Sequence, residues 1–316
     1  MMNNKQPLMT VIILSYNNNQ HILQAIHSVI IQNYTNIQLI ISDDCSRFFD
    51  RQQMLDYIDK HKTFNITDVL ICENYKNLGT VKNINVAVKH ANGVYLKLLA
   101  ADDQLYDSSV LTQFVQYLEK TKLMIVTSTC AVYDEKAEKL KYYYPQSNTR
   151  KLIKKLPPNQ LYRKLAVGNI IGGVGICMRK DILEKYNIFD DRYVLTEDLP
   201  AWLLLSRSGI KIGYIDKITI KYRLNGVSNG EISPSTQILK NDLVKIIDNE
   251  ILPNKCMLNS YELREVKFIR MNMSIEGSAL KKALLIVTFL DIILYRKLKC
   301  LNLYIRRIID GKLSAF

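Results

Sequence analysis

The sequence predicts an α/β protein: a parallel sheet with helices on both faces, followed by a helical C-terminal region. Two observations predict it. Through the first hundred residues, short β-branched runs alternate with segments whose apolar residues recur at helical spacing. Polar clusters then follow three of the four runs directly, and a parallel sheet gathers such clusters at the carboxyl ends of its strands.

The elements follow in order. MTVIILS (Met9–Ser15) reads as a buried strand. From Asn19, an asparagine cap, the residues Ile22, Ala25, Ile26, Val29 and Ile30 mark one face of a helix. Ile37–Ser42 is a second strand, Arg51–Lys60 a helix, and Asp68–Glu73 a third strand. Thr80 caps a helix through His90, with Val81, Ile84 and Val88 on one face and Gly93 as its stop. Val94–Ala100 is the fourth strand. Ser15-Tyr16-Asn17, Asp43-Asp44 and Asp102-Asp103 follow strands one, two and four, so they belong at one sheet edge.

The middle of the chain differs. From Lys136 to Lys164 there are nine basic residues and one acidic, with Tyr142, Tyr143, Tyr144 and Tyr162 interleaved, which reads as a loop or short-helix excursion. Ile170–Met178 is a glycine-bearing strand, and a helix follows near Lys180–Tyr186. TEDLPAWLLLSRSG is a helix with Thr196 as cap, acids in its first turn and Gly209 as its end. Two short strands, Lys211–Ile215 and Ile218–Tyr222, come next. After residue 235 the pattern is helical, and residues 262–316 hold eleven basic against five acidic residues.

Composition bounds the function. At 316 residues and 48% hydrophobic, the chain suffices for one large domain or two modest ones. A net charge of +13 points to a polyanionic partner: nucleic acid, an acidic membrane or a phosphate-bearing substrate. The six cysteines form no C-x-x-C pair and none has a histidine at zinc-ligand spacing, which excludes a disulfide framework and a structural zinc. They read as buried free thiols in a reducing cytosol. The N-terminus lacks a signal-peptide pattern, and the longest apolar run, Ala283–Leu290, is too short to span a bilayer.

Carboxylates at strand ends suit a divalent cation, since Mg²⁺ and Mn²⁺ prefer oxygen ligands. The competing reading of Asp102-Asp103 is a turn that caps the helix after Ser108. Asp43-Asp44 has the same pair of readings, with hydrogen bonding to a base as its functional one. Tyr16 either stacks on that base or belongs to the core. Glu197-Asp198 is either a pair of helix-start acids or the seat of a general base.

Taken together, VIILSYNN, IQLIISDDCS, NLGTVKNINVAVKHANGVYLKLLAADD, FDDRYVLTEDLPAWLLLSRSG and YRLNGVS resemble, in order and spacing, the inverting family 2 glycosyltransferases of bacterial capsule, lipopolysaccharide and exopolysaccharide synthesis. The resemblance covers roughly residues 8–230. It implies a GT-A fold, with a Rossmann-like nucleotide-binding sheet. A glycosyltransferase domain would span 1–235, its nucleotide-sugar half about 1–105 and its acceptor half about 106–235, with a basic helical region at 236–316. Carried over by position, Ser15, Tyr16 and Asn17 line the nucleoside pocket, Asp43 and Asp44 hold a uracil-like base, and Lys82, Asn83 and Arg223 lie near the diphosphate. Asp102, with Asp103, binds Mg²⁺ or Mn²⁺, and Asp198 is the base, with Glu197 beside it.

Three departures stand out. Ala100 replaces the first carboxylate of the family's Asp-x-Asp-Asp, and Asn225 replaces the histidine of its Tyr-Arg-x-His-Gly. No Q-x-x-R-W is present, since the single tryptophan, Trp202, follows Pro200-Ala201. That argues for transfer of one sugar rather than processive synthesis. The implied partners are a nucleotide-sugar and a glycan or polyprenyl-diphosphate-linked acceptor. The implied location is cytoplasmic, or peripheral on the inner face of the membrane. The tail from Lys281 to Ile309 either lies in that anionic interface or packs on the core with a solvated basic face. The rivals are a catalytically inactive scaffold and a nucleic-acid-binding protein; no helix-turn-helix, RRM or KH signature supports the latter. A dinucleotide-binding dehydrogenase is excluded because no G-x-G-x-x-G follows strand one.

Overall fold

The computed structural model describes residues 6–224, 234–275 and 279–298. Strand and helix alternate first: β1 (Met9–Ser15), α1 (Ile22–Ile30), β2 (Ile37–Asp43), α2 (Arg51–His61), β3 (Ile66–Glu73), α3 (Thr80–Val88) and β4 (Tyr95–Ala100). Next come β5 (Gln104–Leu105), α4 (Val110–Thr121), and β6 (Ile125–Tyr133) with its hairpin partner β7 (Leu140–Tyr144). Then follow α5 (Ser147–Lys155), α6 (Pro158–Val167), β8 (Cys177–Arg179), α7 (Asp181–Lys185), α8 (Asp198–Arg207) and β9 (Gly213–Arg223). The chain continues as α9 (Pro234–Ile246), irregular helical turns over 247–257, α10 (Ser260–Ser274) and α11 (Ala279–Thr288), and is helical again at 290–298.

All nine strands join one sheet, in the order β3-β2-β1-β4-β8-β6-β9-β5, with β7 also on β6. Strands β1 to β4 are parallel, and Ser15 lies opposite Asp43 while Leu14 lies opposite Ala100. The three carboxyl-terminal ends therefore finish level. The strand order reverses between β1 and β4, and a doubly wound sheet opens its ligand crevice at such a point. Both faces of β1 are buried. Ile12 packs with Val81 and Ile84 of α3, and Val11 and Ile13 pack with Ile22 and Ile26 of α1. Burial on both sides is why the strand reads as a continuous apolar run and not an alternating one.

The structure corrects several expectations. Asn19 does not cap α1; the N-cap is His21, which makes no side-chain cap. Gly79, not Thr80, precedes α3, and the helix ends at Val88. Gly93 is needed for close approach instead: a Cβ there would lie 2.5 Å from the Thr10 nitrogen. The helix after Ser108 is entered through Asp107, which accepts from the Ser109 N–H at 2.8 Å, so Asp102-Asp103 has no capping role. The N-cap of α8 is Glu197, not Thr196. The run 170–178 is mostly turn, with a short 3₁₀ segment at Gly173–Gly175 and only Cys177–Arg179 in the sheet. The two strands expected at 211–222 are one, β9, whose polar Asp216-Lys217 falls in a register shift against β6. Of the five described cysteines, all free, Cys130 and Cys177 are buried but Cys45 and Cys256 are exposed. No described helix is long and apolar enough to cross a membrane.

The helices after residue 235 share the core of what precedes them. Ile246, Ile247, Ile251 and Val266 pack in the same cluster as Leu161, Tyr162, Trp202 and Leu203. Buried Glu250 accepts from Arg192 at 2.8 Å and from Arg207 at 2.5 Å.

Gly79 locks the two parts of the chain together. Its φ is +85° and ψ 162°, a region essentially restricted to glycine. A Cβ there would lie 2.5 Å from Val194 Cγ1 and 2.8 Å from the Val194 carbonyl oxygen. The conformation alone costs a non-glycine residue about 1–3 kcal/mol. Gly79→Ala should therefore lower stability in urea unfolding by about 2 kcal/mol or more, and an unchanged midpoint would contradict this packing.

Candidate active site

The sheet edge is built by loops that hold one another through buried carboxylates. Asp43 ends β2, and its Oδ2 accepts from the Ser46 N–H at 2.7 Å. The Ser46 hydroxyl accepts from the Asn17 N–H at 2.8 Å, and Asn17 Oδ1 accepts from the Arg47 N–H at 3.0 Å. Asn17 and Cys45 both take positive φ, which short polar or small residues in tight turns tolerate best. Asp44 is more fully engaged. Its Oδ1 accepts from Asn74 Nδ2 and the Leu78 N–H, and its Oδ2 from the Gly79 N–H, each at 2.9 Å. A carboxylate has about four acceptor positions, so Asp44 is chiefly an anchor for the loop between β3 and α3. Asn83 is likewise committed to the scaffold. It donates to the Ser42 carbonyl at 3.1 Å and accepts from the Ser42 hydroxyl at 2.7 Å and from Asn74 at 3.0 Å. Lys82, one residue earlier, is exposed.

Two groups on this edge remain open to a ligand. Tyr16 is 46% exposed, which removes the core reading. The Ser15 hydroxyl is buried at the end of β1 with no partner among the described residues. A buried hydroxyl left unpaired is costly, and a ligand donor or acceptor here would remove that cost.

After β4 the two aspartates part. Asp103 is 1% exposed, and its Oδ1 accepts from the Arg223 N–H at 3.0 Å, joining the turn to β9. Burial and the neighbouring Asp102 charge push its carboxyl well above the usual range. Its Oδ2 is buried with no hydrogen-bond partner among the described residues, so one oxygen joins the turn to β9 and the other is left free. Asp102 is only partly buried. Burial raises its carboxyl too, opposed by its own N–H and the charges of His21 and Arg223. The Arg223 guanidinium, 5% exposed, holds this corner: it donates to the Asp102 carbonyl at 3.2 Å, the Glu135 carbonyl at 2.7 Å and Gln24 Oε1 at 2.7 Å. Asn225 and Gly226, next in that motif, lie outside the described residues.

Among the described residues no three His, Cys, Asp or Glu side chains gather as a metal cage. Asp102 alone, with Ala100 in place of a second carboxylate, fits a cation held by one carboxylate, water and a ligand's phosphates, as Mg²⁺ commonly is.

The second acidic pair sits where α8 begins. Asp198 Oδ2 accepts from Asn169 Nδ2 at 2.8 Å and Oδ1 from the Leu199 N–H at 2.6 Å. The N–H of Gly173 also supports it. A Cβ on Gly173 would come 2.6 Å from Glu197 Oε1 and 3.3 Å from Asp198 Cβ, so the turn at 172–175 is a cradle only glycine leaves open. Burial and the adjacent Asp198 charge push Glu197 up to about 8. Burial raises Asp198 as well, but its hydrogen-bond donors oppose the rise. Two adjacent carboxyls in one enclosed place do not both ionise readily, and hydrogen-bond donors favour the charge on the one that holds them. The donors from Asn169, Leu199 and Gly173 therefore favour the charge on Asp198 over Glu197.

Several residues that hold this pair carried no local signal. Asn169 lies in an unpatterned stretch. Tyr144, from β7, is raised by burial and by the Asp198 charge, and its ring lies 3.1 Å from where a Cβ on Gly172 would be. Asp242, on α9, accepts from the N–H groups of Val194, Leu195 and Thr196 at 2.8–3.1 Å and so fixes the approach to α8.

Comparison with known proteins agrees with this architecture. The profile "Glycosyl transferase family 2" matches residues 10–186. An uncharacterized glycosyltransferase of Haemophilus influenzae is 26% identical over 82% of this chain and 80% of its own length. Bacillus subtilis TuaG, named for teichuronic acid biosynthesis, is 24% identical over 73% of this chain and 85% of its own. A Rickettsia felis glycosyltransferase is 27% identical, and the match covers 34% of its length. Among solved structures, S. aureus TarS residues 1–349 in complex with UDP-GlcNAc superposes with a TM-score of 0.57 at 17% identity, covering 90% of this chain and 80% of that one. The shared architecture is the GT-A fold. With more than half of its length matched by the profile, the chain belongs to glycosyl transferase family 2.

Proposed function

We propose that the protein transfers one sugar from a nucleotide-sugar, a UDP-sugar first among the candidates, to a hydroxyl of a glycan or polyprenyl-diphosphate-linked acceptor of a bacterial surface polysaccharide, with inversion at the anomeric carbon. The observation that carries this reading is the donor set on Asp198, which favours its ionised form over that of Glu197 beside it. UDP-GlcNAc in the TarS neighbour supports the nucleotide assignment, and TuaG supports a polysaccharide acceptor.

In the proposed reaction Asp198 takes the proton of the acceptor hydroxyl as its oxygen bonds to the anomeric carbon. The bond from that carbon to the nucleotide diphosphate breaks on the opposite face. The hydroxyl becomes acidic enough to lose its proton only as the new bond forms, so a carboxylate suffices as base. Ser15, Tyr16 and Asn17 border the nucleoside, with the loops pinned by Asp43 and Asp44 as its walls. Lys82 and the amino end of α3 favour the diphosphate, and Asn83 fixes that helix to β2. Mg²⁺ or Mn²⁺ held by Asp102 and the phosphates would neutralise charge on the leaving group.

A membrane contact belongs to the same proposal. Across 279–298 one helix side packs inward through Leu285, Phe289 and Ile292. The opposite side presents Leu280 at 82%, Leu284 at 62% and Val287 at 76% exposure. An apolar side on a chain of charge +13 suits an anionic bilayer surface, where a lipid-linked acceptor would lie.

Three measurements test this. Incubated with UDP-, GDP- and dTDP-sugars and Mn²⁺, the protein should release nucleotide slowly from one donor, and Asp102→Ala should abolish the metal-dependent release. No release and no nucleotide binding would favour an inactive scaffold. In the transfer assay Asp198→Asn should lose a factor of about 10²–10⁴, while Glu197→Gln should stay within about tenfold at pH 7 because the donors favour the charge on Asp198 over Glu197. The acid limb of kcat, set by ionisation of Asp198, should fall above the ordinary carboxylate value near 4, since burial raises that group. The protein should float with anionic vesicles, and removal of 278–316 should release it; unchanged flotation would sink the membrane contact.

A further inference from the structure

Lys97 lies in the middle of β4, fully buried, and the reaction proposed above does not use it. Among the described residues it makes no ion pair. Its ammonium donates to the Leu98 carbonyl at 2.6 Å and to the Val174 carbonyl at 2.6 Å. Its other neighbours are the Cys130 and Cys177 thiols and the Asp103 carboxyl. Burial lowers it to about 8, so it is still charged at neutral pH. A buried cation facing neutral carbonyls is a costly choice for a strand that otherwise reads as apolar.

Val174 belongs to the glycine turn that cradles the acidic pair. Side chains grip three carbonyls in or beside that turn. Trp202 Nε1 donates to Ile171 at 2.9 Å, Lys97 to Val174 at 2.6 Å, and the Ser128 hydroxyl to Gly175 at 2.9 Å. On its other side Gly173 meets Glu197 and Asp198. Trp202 comes from α8 itself and Ser128 from β6. Only Lys97 comes from β4, the strand that runs into Asp102.

We propose that Lys97 is a positioning residue that clamps the Gly172–Gly175 turn to β4, and so fixes the base at Asp198 relative to the diphosphate end of the sheet. The proposal rests on the reading of Asp198 as the base. Near-attack geometry is sensitive at the ångström level, so a loosened turn slows transfer without weakening donor binding.

Lys97→Met tests it, because methionine has similar length and no donor. The expected result is a fall in kcat for transfer of about tenfold or more, with donor KM and nucleotide affinity within twofold of wild type. The thermal midpoint should hold or rise, since a buried charge is gone. Hydrogen exchange of residues 171–175 should quicken in the same variant, and Lys97→Arg, which keeps donors, should recover more activity than Lys97→Met. Wild-type kcat in Lys97→Met, unchanged exchange in the turn, or a loss of kcat matched by equal losses of stability and nucleotide affinity would overturn the proposal. Failure of the base reading is separable: an active Asp198→Asn variant would remove the base, while the exchange measurement would still report the clamp.

Discussion

Three consecutive backbone N–H groups, at Val194, Leu195 and Thr196, converge on one buried carboxylate, Asp242, and the position of the Glu197-Asp198 pair follows from that. The loop before α8 has no strand or helix to satisfy its backbone, and unpaired buried N–H groups are not tolerated. A charged acceptor meets all three at once, and such bonds are stronger than neutral ones. The loop's carbonyl side is met elsewhere: the Val81 N–H donates to the Val194 carbonyl at 3.1 Å, and Gly79 lies against the same residue. Gly79 in turn donates to Asp44. A continuous line therefore runs from the carboxyl edge of the sheet through α3 to α9. The supporting carboxylate at Asp242 lies beyond residues 10–186, the span that the family profile matches.

The two adjacent acidic pairs obey one rule. Like charges side by side resist joint ionisation away from water, and in each of these two pairs burial raises both carboxyls while the neighbour's charge raises one of them further. After β4 the member raised further is Asp103, tied to the backbone of β9, and the other is Asp102, beside His21 and Arg223. At α8 the member raised further is Glu197, and the other is Asp198, held by Asn169 and two backbone donors. The second acid in one pair and the first in the other is the one raised further, so sequence order does not decide it.

What could be read from the sequence was what short-range pattern controls. β1 to β4 and the helices between them follow from run length and spacing, because the strands are mostly apolar and β1, β2 and β4 are largely buried. The convergence of Ser15, Asp43 and Asp102 followed from strand order alone. The glycine turn was not legible, since its shape is set by Trp202, Lys97 and Ser128 from three distant elements. Nor was the continuity of β9, where a polar pair that looks like a turn is taken up by a bulge against β6. Asp44 and Asn83 were legible as important but not in their roles. Residue type says that a carboxylate or amide is wanted, and only the fold says that neighbouring backbone and side chains take most of its bonds.

β7 is the other consequence of this arrangement. Among the described residues it pairs with β6 alone, so its outer row of backbone groups faces no strand. Bare edges invite a second chain to pair, and proteins discourage that with lysines, prolines and irregular register. Here Lys141 stands within the strand, Pro145 follows it directly without an N–H to offer, and the pairing shifts between Val132 and Tyr133. The basic residues around 136–155 thereby set charge along the open edge, a feature that disfavours edge-to-edge pairing.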